Sequence, residues 1–385
     1  MQFNGLLKSK LSGVGTSIFS VMSQLATENQ AINLAQGFPN FMCSKELISL
    51  VNKFMNKGFN QYAPMPGLLA LREQIAIKTE KQYSAVYNPE TEVTITPGGT
   101  LAIYAAIEAL VTPGDEVIII EPCYDSYTPS VRLAGGVAKY ARLQYPKYTI
   151  DWNDVKKLVS FKTRLIIINT PHNPTGSVLS ASDMQKLEKI VENTDIIVIS
   201  DEVYEHIIFD GLEHQSVCRF PKLAEHSVVI SSFGKTYHTT GWKLGYFLAP
   251  ENITREIRKA YQFMAFAANT PMQHALAEFL KRENEYLELG AFYQEKRDFF
   301  RKLLKGSKFK LMSCSGSYFQ SVGYEKITDM NDVEFAKKLT IENKIASIPT
   351  SVFYHNNADN KVLRLCFAKD QDTLEKAAEA LLKIE

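Results

Sequence analysis

The 385 residues predict an α/β protein with a mostly parallel, mixed sheet, helices on both of its faces, and a smaller α+β domain alongside. Three observations carry this. Short apolar runs recur through the middle of the chain, and several are continuous rather than alternating, as strands buried on both faces read. Helical patterns separate them, which implies right-handed crossovers between parallel strands. Toward the C-terminus the character changes to amphipathic helices mixed with a few short strands.

The first strand is EVTITP (92–97), which runs through GGT into LAIYAAIEALV, a helix rich in alanine and leucine. DEVIIIEP (115–122), RLIIINTP (164–171), DIIVISDEVY (195–204), SVVISS (227–232) and LGYFLAP (244–250) follow as further strands. A long helix is expected across YQFMAFAANTPMQHALAEFLKRENEY (261–286), as the joint between two domains. Beyond it, FYQEKRDFFRKLLKG reads as an amphipathic helix closed by Gly306. GSYFQSVGY, the helical DVEFAKKLTIEN, KIASIPTS, KVLRLCFA and a final helix TLEKAAEALLKIE complete the smaller domain. The first 45 residues have no evident core of their own and are expected to pack on another part. The division that follows is a large domain over 46–275 and a small one built from 1–45 with 276–385.

Composition narrows the function. Apolar residues make up 45% and charged residues 22%, and the formal net charge is +1, so no field favours nucleic acid or a membrane surface. The N-terminus lacks the apolar core of a signal peptide, and no stretch reaches the length of a membrane span. Five scattered cysteines, none in a CxxC, read as reduced thiols of a cytoplasmic protein and give no support for a metal site.

In an open α/β sheet, ligands sit beyond the carboxyl ends of the strands. The first strand ends in Gly98, Gly99 and Thr100, bare backbone N–H groups opening a helix and suited to phosphate. The next end brings Tyr124; PHNPTG brings His172 and Asn173; SDEVY brings Asp201 and Tyr204; SSFGK brings Ser232 and Lys235. The letters GKT at Gly234–Thr236 do not make a P-loop, because Val229 stands where its first glycine is required. A phosphate nest, an aromatic ring, an amide, a carboxylate with a phenol, and an amine together suit pyridoxal 5′-phosphate. That cofactor forms a Schiff base with a lysine and needs an acidic partner at its ring nitrogen.

The chain resembles the class I/II aminotransferases of fold type I, and within them the branch of methionine aminotransferases and kynurenine–oxoglutarate transaminases. INLAQGFPNF, NQYAPMPG, PGGTLAIYAAI, EPCYDSY, NTPHNPTG, SDEVYEHI, SSFGKTYHTTGWKLGY, SYF and LRLCFAK carry the likeness in this order, from about residue 30 to 370. The resemblance implies that Lys235 holds the cofactor and then moves the proton between substrate Cα and cofactor. It implies that Asp201 pairs with the ring nitrogen, that Asn173 and Tyr204 hydrogen-bond the phenolic oxygen, and that Tyr124 stacks on the ring. Gly99, Thr100, Ser232 and Lys243 would hold the phosphate; many family members carry arginine at the position of Lys243. Tyr62 matches a tyrosine that reaches the cofactor of a neighbouring subunit, which implies a homodimer with composite active sites. Arg364 would clamp the substrate carboxylate, with Asn173 beside it, and the Gly37 loop would approach the substrate closely.

No motif supplies a second arginine for an acidic side chain, whereas Phe19, Tyr62, Tyr124, Phe353 and Tyr354 offer aromatic surface. Amino-acid donors with methionine-like or aromatic side chains, and 2-oxo-acid acceptors, are the expected substrates, handled in two half-reactions. Two other readings stand beside this one: a cysteine-S-conjugate β-lyase on the same scaffold, and a ligand-binding regulatory homologue without catalysis.

Overall fold

The apolar runs are buried because they lie side by side in the middle of one sheet. The computed structural model describes all residues except Gln2 and Glu385; the last residue of the expected C-terminal helix therefore lies outside the described residues. The first strand, β1 (Ile32–Asn33), belongs to a separate pair. Eight strands form the large sheet: β2 (Val93–Thr96), β3 (Glu116–Glu121), β4 (Val137–Gln144), β5 (Thr149–Ile150), β6 (Thr163–Asn169), β7 (Ile197–Asp201), β8 (Ser227–Ser232) and β9 (Gly245–Leu248). Their spatial order is β2-β9-β8-β7-β6-β3-β4-β5. β8, β7, β6, β3 and β4 run parallel, and β9 lies antiparallel between β8 and β2. Being antiparallel to β9, β2 points the same way as β8, so its carboxyl end joins theirs at one edge of the sheet.

Alternate residues of the central strands feed two cores. Ile118, Ile166, Val198 and Val229 pack on one face, and Val117, Leu165, Ile199 and Val228 on the other. With both faces covered, every position is apolar and alternation disappears. Each such side chain contributes about 1.5–3 kcal/mol of burial. β4 is absent from the strands read off the sequence, and its position explains why. Near the sheet edge it keeps Val137, Arg142 and Gln144 exposed, so its apolar residues never form a run.

A four-stranded antiparallel sheet forms from β10 (Lys310–Leu311), β11 (Phe319–Gly323), β13 (Ile348–Pro349) and β14 (Val362–Cys366), in the order β10-β11-β14-β13. The N-terminal segment packs here. β1 pairs in parallel with β12 (Ile345–Ala346), and the Cys366 N–H donates to the Leu34 carbonyl at 2.8 Å. A third core joins Met22 and Leu34 of that segment to Phe319, Leu339, Leu363 and Leu365.

The single long helix expected over 261–286 is interrupted. One helix ends at Met264, and another spans Thr270–Phe279. Phe266 lies in the left-handed region at φ 62°, and the Asn269 side chain caps the second helix by accepting the Met272 N–H at 3.2 Å. Pro271, in the first turn, has no N–H to continue a helix from before it.

Candidate active site

The carboxyl ends of β2, β6, β7 and β8 meet Arg364 of the small sheet and the 35–37 segment around a cavity of about 300 Å³. The wall suited to an anion lies at the β2–helix junction. Gly98 caps the helix Gly99–Leu110 with φ 80° and ψ 165°, a conformation open only to glycine at low cost, and offers no side chain to cover the helix N–H groups. A Cβ on Gly98 would stand 3.5 Å from Lys243 Nζ, so amine and helix N-terminus face the same space. Gly99, Thr100, Ser232 and Lys243 all line it.

Asp201 ends β7, buried. Tyr127 Oη donates to its carboxylate at 2.5 Å, and the Val203 N–H lies at 3.3 Å. Burial pushes the carboxyl up to about 6, against the pull of Tyr127, the Val203 amide and Lys235. Asn169, at the end of β6, donates to the Asp201 carbonyl at 2.8 Å and accepts the Asn173 N–H at 2.8 Å, so the β6 and β7 ends are tied together. Tyr124, Val203 and Tyr204 complete this part of the wall, and burial holds the Tyr204 phenol well above its ordinary range.

Lys235 sits in the single turn that follows β8. Burial lowers its amine to about 8; Arg364 and Lys243 add to this, and Asp201 opposes it. Its Nζ reaches Tyr318 Oη at 2.9 Å and the Gly37 carbonyl at 3.3 Å. Arg364, 1% exposed, donates to Asn173 Oδ1 at 2.8 Å and to the Ala35 carbonyl at 2.6 Å. Its Nε is buried without a partner, and no carboxylate of the described residues forms an ion pair with it. Its guanidinium carbon lies 4.0 Å from the Phe319 ring centroid and 5.1 Å from that of Phe19. A buried cation with an open donor, flanked by apolar rings, is arranged to receive a carboxylate.

Eleven of the twelve carried-over side chains and backbone positions besides Lys235 are therefore easily placed: Phe19, Gly37, Gly99, Thr100, Tyr124, Asn173, Asp201, Tyr204, Ser232, Lys243 and Arg364 line the cavity with Lys235. Tyr62 does not. It is 83% exposed, edge-on to Phe266 at 5.2 Å. Of the further aromatics, Phe353 backs Phe19 at 6.0 Å, whereas Tyr354 is taken up by Arg142 and Asn360 and does not line the cavity. His172 is buried on Thr175 Oγ1 at 2.8 Å and pushed down to about 3 by burial, a neutral part of the turn. Sequence reasoning gave no role to Tyr127, Asn169 or Tyr318. The quoted SYF run, the second tyrosine of EPCYDSY and the first residue of NTPHNPTG were the available signals for them.

The residues present fit pyridoxal phosphate: a bare helix N-terminus with a lysine for a dianion, a buried carboxylate for a ring cation, and a depressed amine for an aldehyde. Fold and cavity together define an aminotransferase of fold type I. The family model described as aminotransferase class I and II matches residues 29–381. A methionine aminotransferase of Escherichia coli is 48% identical over 378 residues, covering 98% of each chain. A kynurenine–oxoglutarate transaminase of Dictyostelium discoideum is 34% identical, over 97% of this chain and 95% of its own. The crystal structure of YbdL from Escherichia coli, whose report identifies a methionine aminotransferase function, superposes with a TM-score of 0.96 at 47% identity, covering 98% of this chain and 99% of that one. The chain belongs to the class I and II aminotransferases, a family that uses pyridoxal phosphate and acts on amino and 2-oxo acids.

Proposed function

We propose that this enzyme transfers the amino group of an L-amino acid with a methionine-like or aromatic side chain to a 2-oxo acid, with pyridoxal phosphate bound at Lys235. The observation that carries the substrate class is a count of cations. The cavity holds three, Lys235, Lys243 and Arg364. In this reading the amine is the base, Lys243 meets the phosphate, and Arg364 takes the α-carboxylate. None is left for a distal carboxylate, while Phe19, Phe319 and Phe353 present apolar faces around the guanidinium. The methionine aminotransferase function named for the E. coli matches supports the same donor class.

Gly99, Thr100, Ser232 and Lys243 hold the phosphate, Tyr124 covers the ring, Tyr204 and Asn173 bond its phenolic oxygen, and Asp201 pairs with its nitrogen. The bound cofactor supplies a cationic ring that draws in the electron pair of the broken Cα–H bond. Arg364 and Asn173 fix the carboxylate and so the direction of that bond. Gly37 brings the 35–37 backbone to the substrate with no side chain between them; the same lack of a Cβ lets it pack on the Phe319 ring, since a Cβ would stand 2.8 Å from Phe319 Cζ. Lys235 Nζ, its amine lowered to about 8 by burial, takes the α-proton and returns it on the cofactor side. The 2-oxo acid leaves, and a second 2-oxo acid reverses the sequence. The cofactor is held by the part spanning 46–275, and the part made of 1–45 with 276–385 brings Arg364 and Gly37 to it. Two subunits form a cytoplasmic homodimer, each lending Tyr62 to the other's cofactor.

The test is a visible spectrum of the pyridoxal-phosphate-loaded enzyme before and after L-methionine, without an acceptor. Bleaching of the yellow band, with release of one equivalent of the 2-oxo acid per site, is expected. A band that only an acidic amino acid bleaches would overturn the donor class.

A further inference from the structure

Lys235 Nζ has two hydrogen-bond partners, and both are acceptors. The Gly37 carbonyl is one, at 3.3 Å. The other is Tyr318 Oη at 2.9 Å, and its own proton is committed, because Tyr318 Oη lies 2.6 Å from the same Gly37 carbonyl and donates to it. The hydroxyl can meet the amine only with a lone pair. A neutral amine has two N–H bonds and one lone pair. Two acceptors use both N–H bonds, and the lone pair is left in the one remaining direction.

We propose that Tyr318 is a positioning residue for the base: with the Gly37 carbonyl it takes up both N–H bonds of the Lys235 amine and turns its lone pair into the cavity. The inference rests on the reading of Lys235 as the group that moves the α-proton. The lone pair accepts that proton from substrate Cα, while the electron pair of the broken bond passes to the cofactor. The N–H so formed is the one Lys235 then gives back, since the other two stay on their acceptors.

Tyr318 is held for this. It is fully buried, edge-on to Tyr204 at 5.1 Å and against Tyr293 at 5.6 Å. The three partners come from three parts of the chain: Lys235 follows β8, Gly37 follows β1, and Tyr318 precedes β11. The lone pair is therefore oriented only when the small sheet and the N-terminal segment are docked on the large sheet.

The experiment uses Tyr318→Phe, which removes the hydroxyl and keeps the ring, with Tyr293→Phe as control, since the buried Tyr293 hydroxyl has no partner among the described residues. Two readouts are taken. In the cofactor-free chain, acetylation of Lys235 by acetic anhydride is followed by peptide mass spectrometry as a function of pH. Because the hydroxyl lone pair favours the ammonium over the amine, its loss is expected to move the Lys235 midpoint below the wild-type value by about half a pH unit or more. In the loaded enzyme, kcat for L-methionine is expected to fall ~10–100-fold with KM changed less than about threefold, and the α-deuterium isotope effect to rise. Tyr293→Phe is expected to leave the midpoint, the kinetic constants and the isotope effect unchanged. A wild-type midpoint or a wild-type isotope effect in Tyr318→Phe overturns the proposal. If the phenylalanine chain is not recovered folded, Tyr318→Met makes the same test. A wild-type enzyme that transaminates no donor would sink the proposed function, and the acetylation midpoint would still decide whether the acceptor pair acts on Lys235.

Discussion

Asp201 is a charge the fold does not need. Its carboxyl is raised from an ordinary value near 3.8 to about 6 by burial, so between these values the folded chain binds more protons than the unfolded one. Stability without cofactor then falls as pH rises through that window, and near pH 7 the ionised group costs roughly 3 kcal/mol. Asp201→Asn removes the charge and keeps one acceptor oxygen, for the Val203 amide, while its NH2 can donate to Tyr127 Oη once that hydroxyl turns its proton away. We expect its cofactor-free form to melt higher than wild type at pH 7 and equally at pH 4, by calorimetry, while kcat of the loaded enzyme falls ~10²–10⁴-fold. Arg364 makes the complementary case. Arg364→Lys loses the planar fork that binds Asn173 and Ala35 and that, in the proposed function, takes the substrate carboxylate as well. Steady-state kinetics are expected to show kcat/KM lower by about a hundredfold for methionine, with cofactor affinity held within about twofold. The types of these residues were legible in the sequence because the chemistry admits few substitutes. Tyr127 and Tyr318 were not assigned roles, because a tyrosine's role depends on which group its hydroxyl meets, and their partners are 74 and 83 residues away along the chain.

At the scale of elements, the proposed phosphate site depends on the β2–helix junction. Gly98 sits where a side chain is strained by about 1–3 kcal/mol, and Gly98→Ala can relieve that only by turning the first helical N–H groups away. Fluorescence titration is expected to show pyridoxal phosphate binding weakened about tenfold or more, with the loaded enzyme's donor preference unchanged. Elements buried on both faces were the most legible, since the apolar run is itself the signal. β4 escaped because, one strand in from the sheet edge, it keeps several residues exposed and forms no apolar run, and the long helix over 261–286 was wrongly joined. Its apolar residues continue past the break, but Asn269 and Pro271 end the hydrogen-bond ladder between them.

At the scale of the molecule, Tyr62 is the residue a single chain leaves unexplained. It lies outside the cavity beside Phe266, which is itself 52% exposed. If Tyr62 serves the partner's cofactor, two damaged subunits can repair each other. Lys235→Ala and Tyr62→Phe chains, each of low activity alone, are expected to regain up to about a quarter of wild-type activity after mixing and exchange. Half of the dimers are then hybrids, and one site of each hybrid is intact. No recovery in a mixture shown by mass spectrometry to contain hybrids would place Tyr62 in its own subunit's site. No helix among the described residues is long and apolar enough to cross a membrane.

Residue chemistry and burial pattern were thus written in the linear chain: the two-faced strands, the glycine-opened helix, and the lysine, aspartate and arginine that the cofactor and substrate require. Hydrophobic periodicity and obligatory chemistry are local properties, read over a few residues at a time. Folding alone decided the pairings. It brought Gly37, Tyr318 and Lys235 to one point from three segments, left Arg364 Nε without a partner, and buried Asp201 deeply enough to raise its carboxyl. Distances, desolvation and shared protons arise between residues far apart in the chain, so they exist only once the layers have packed.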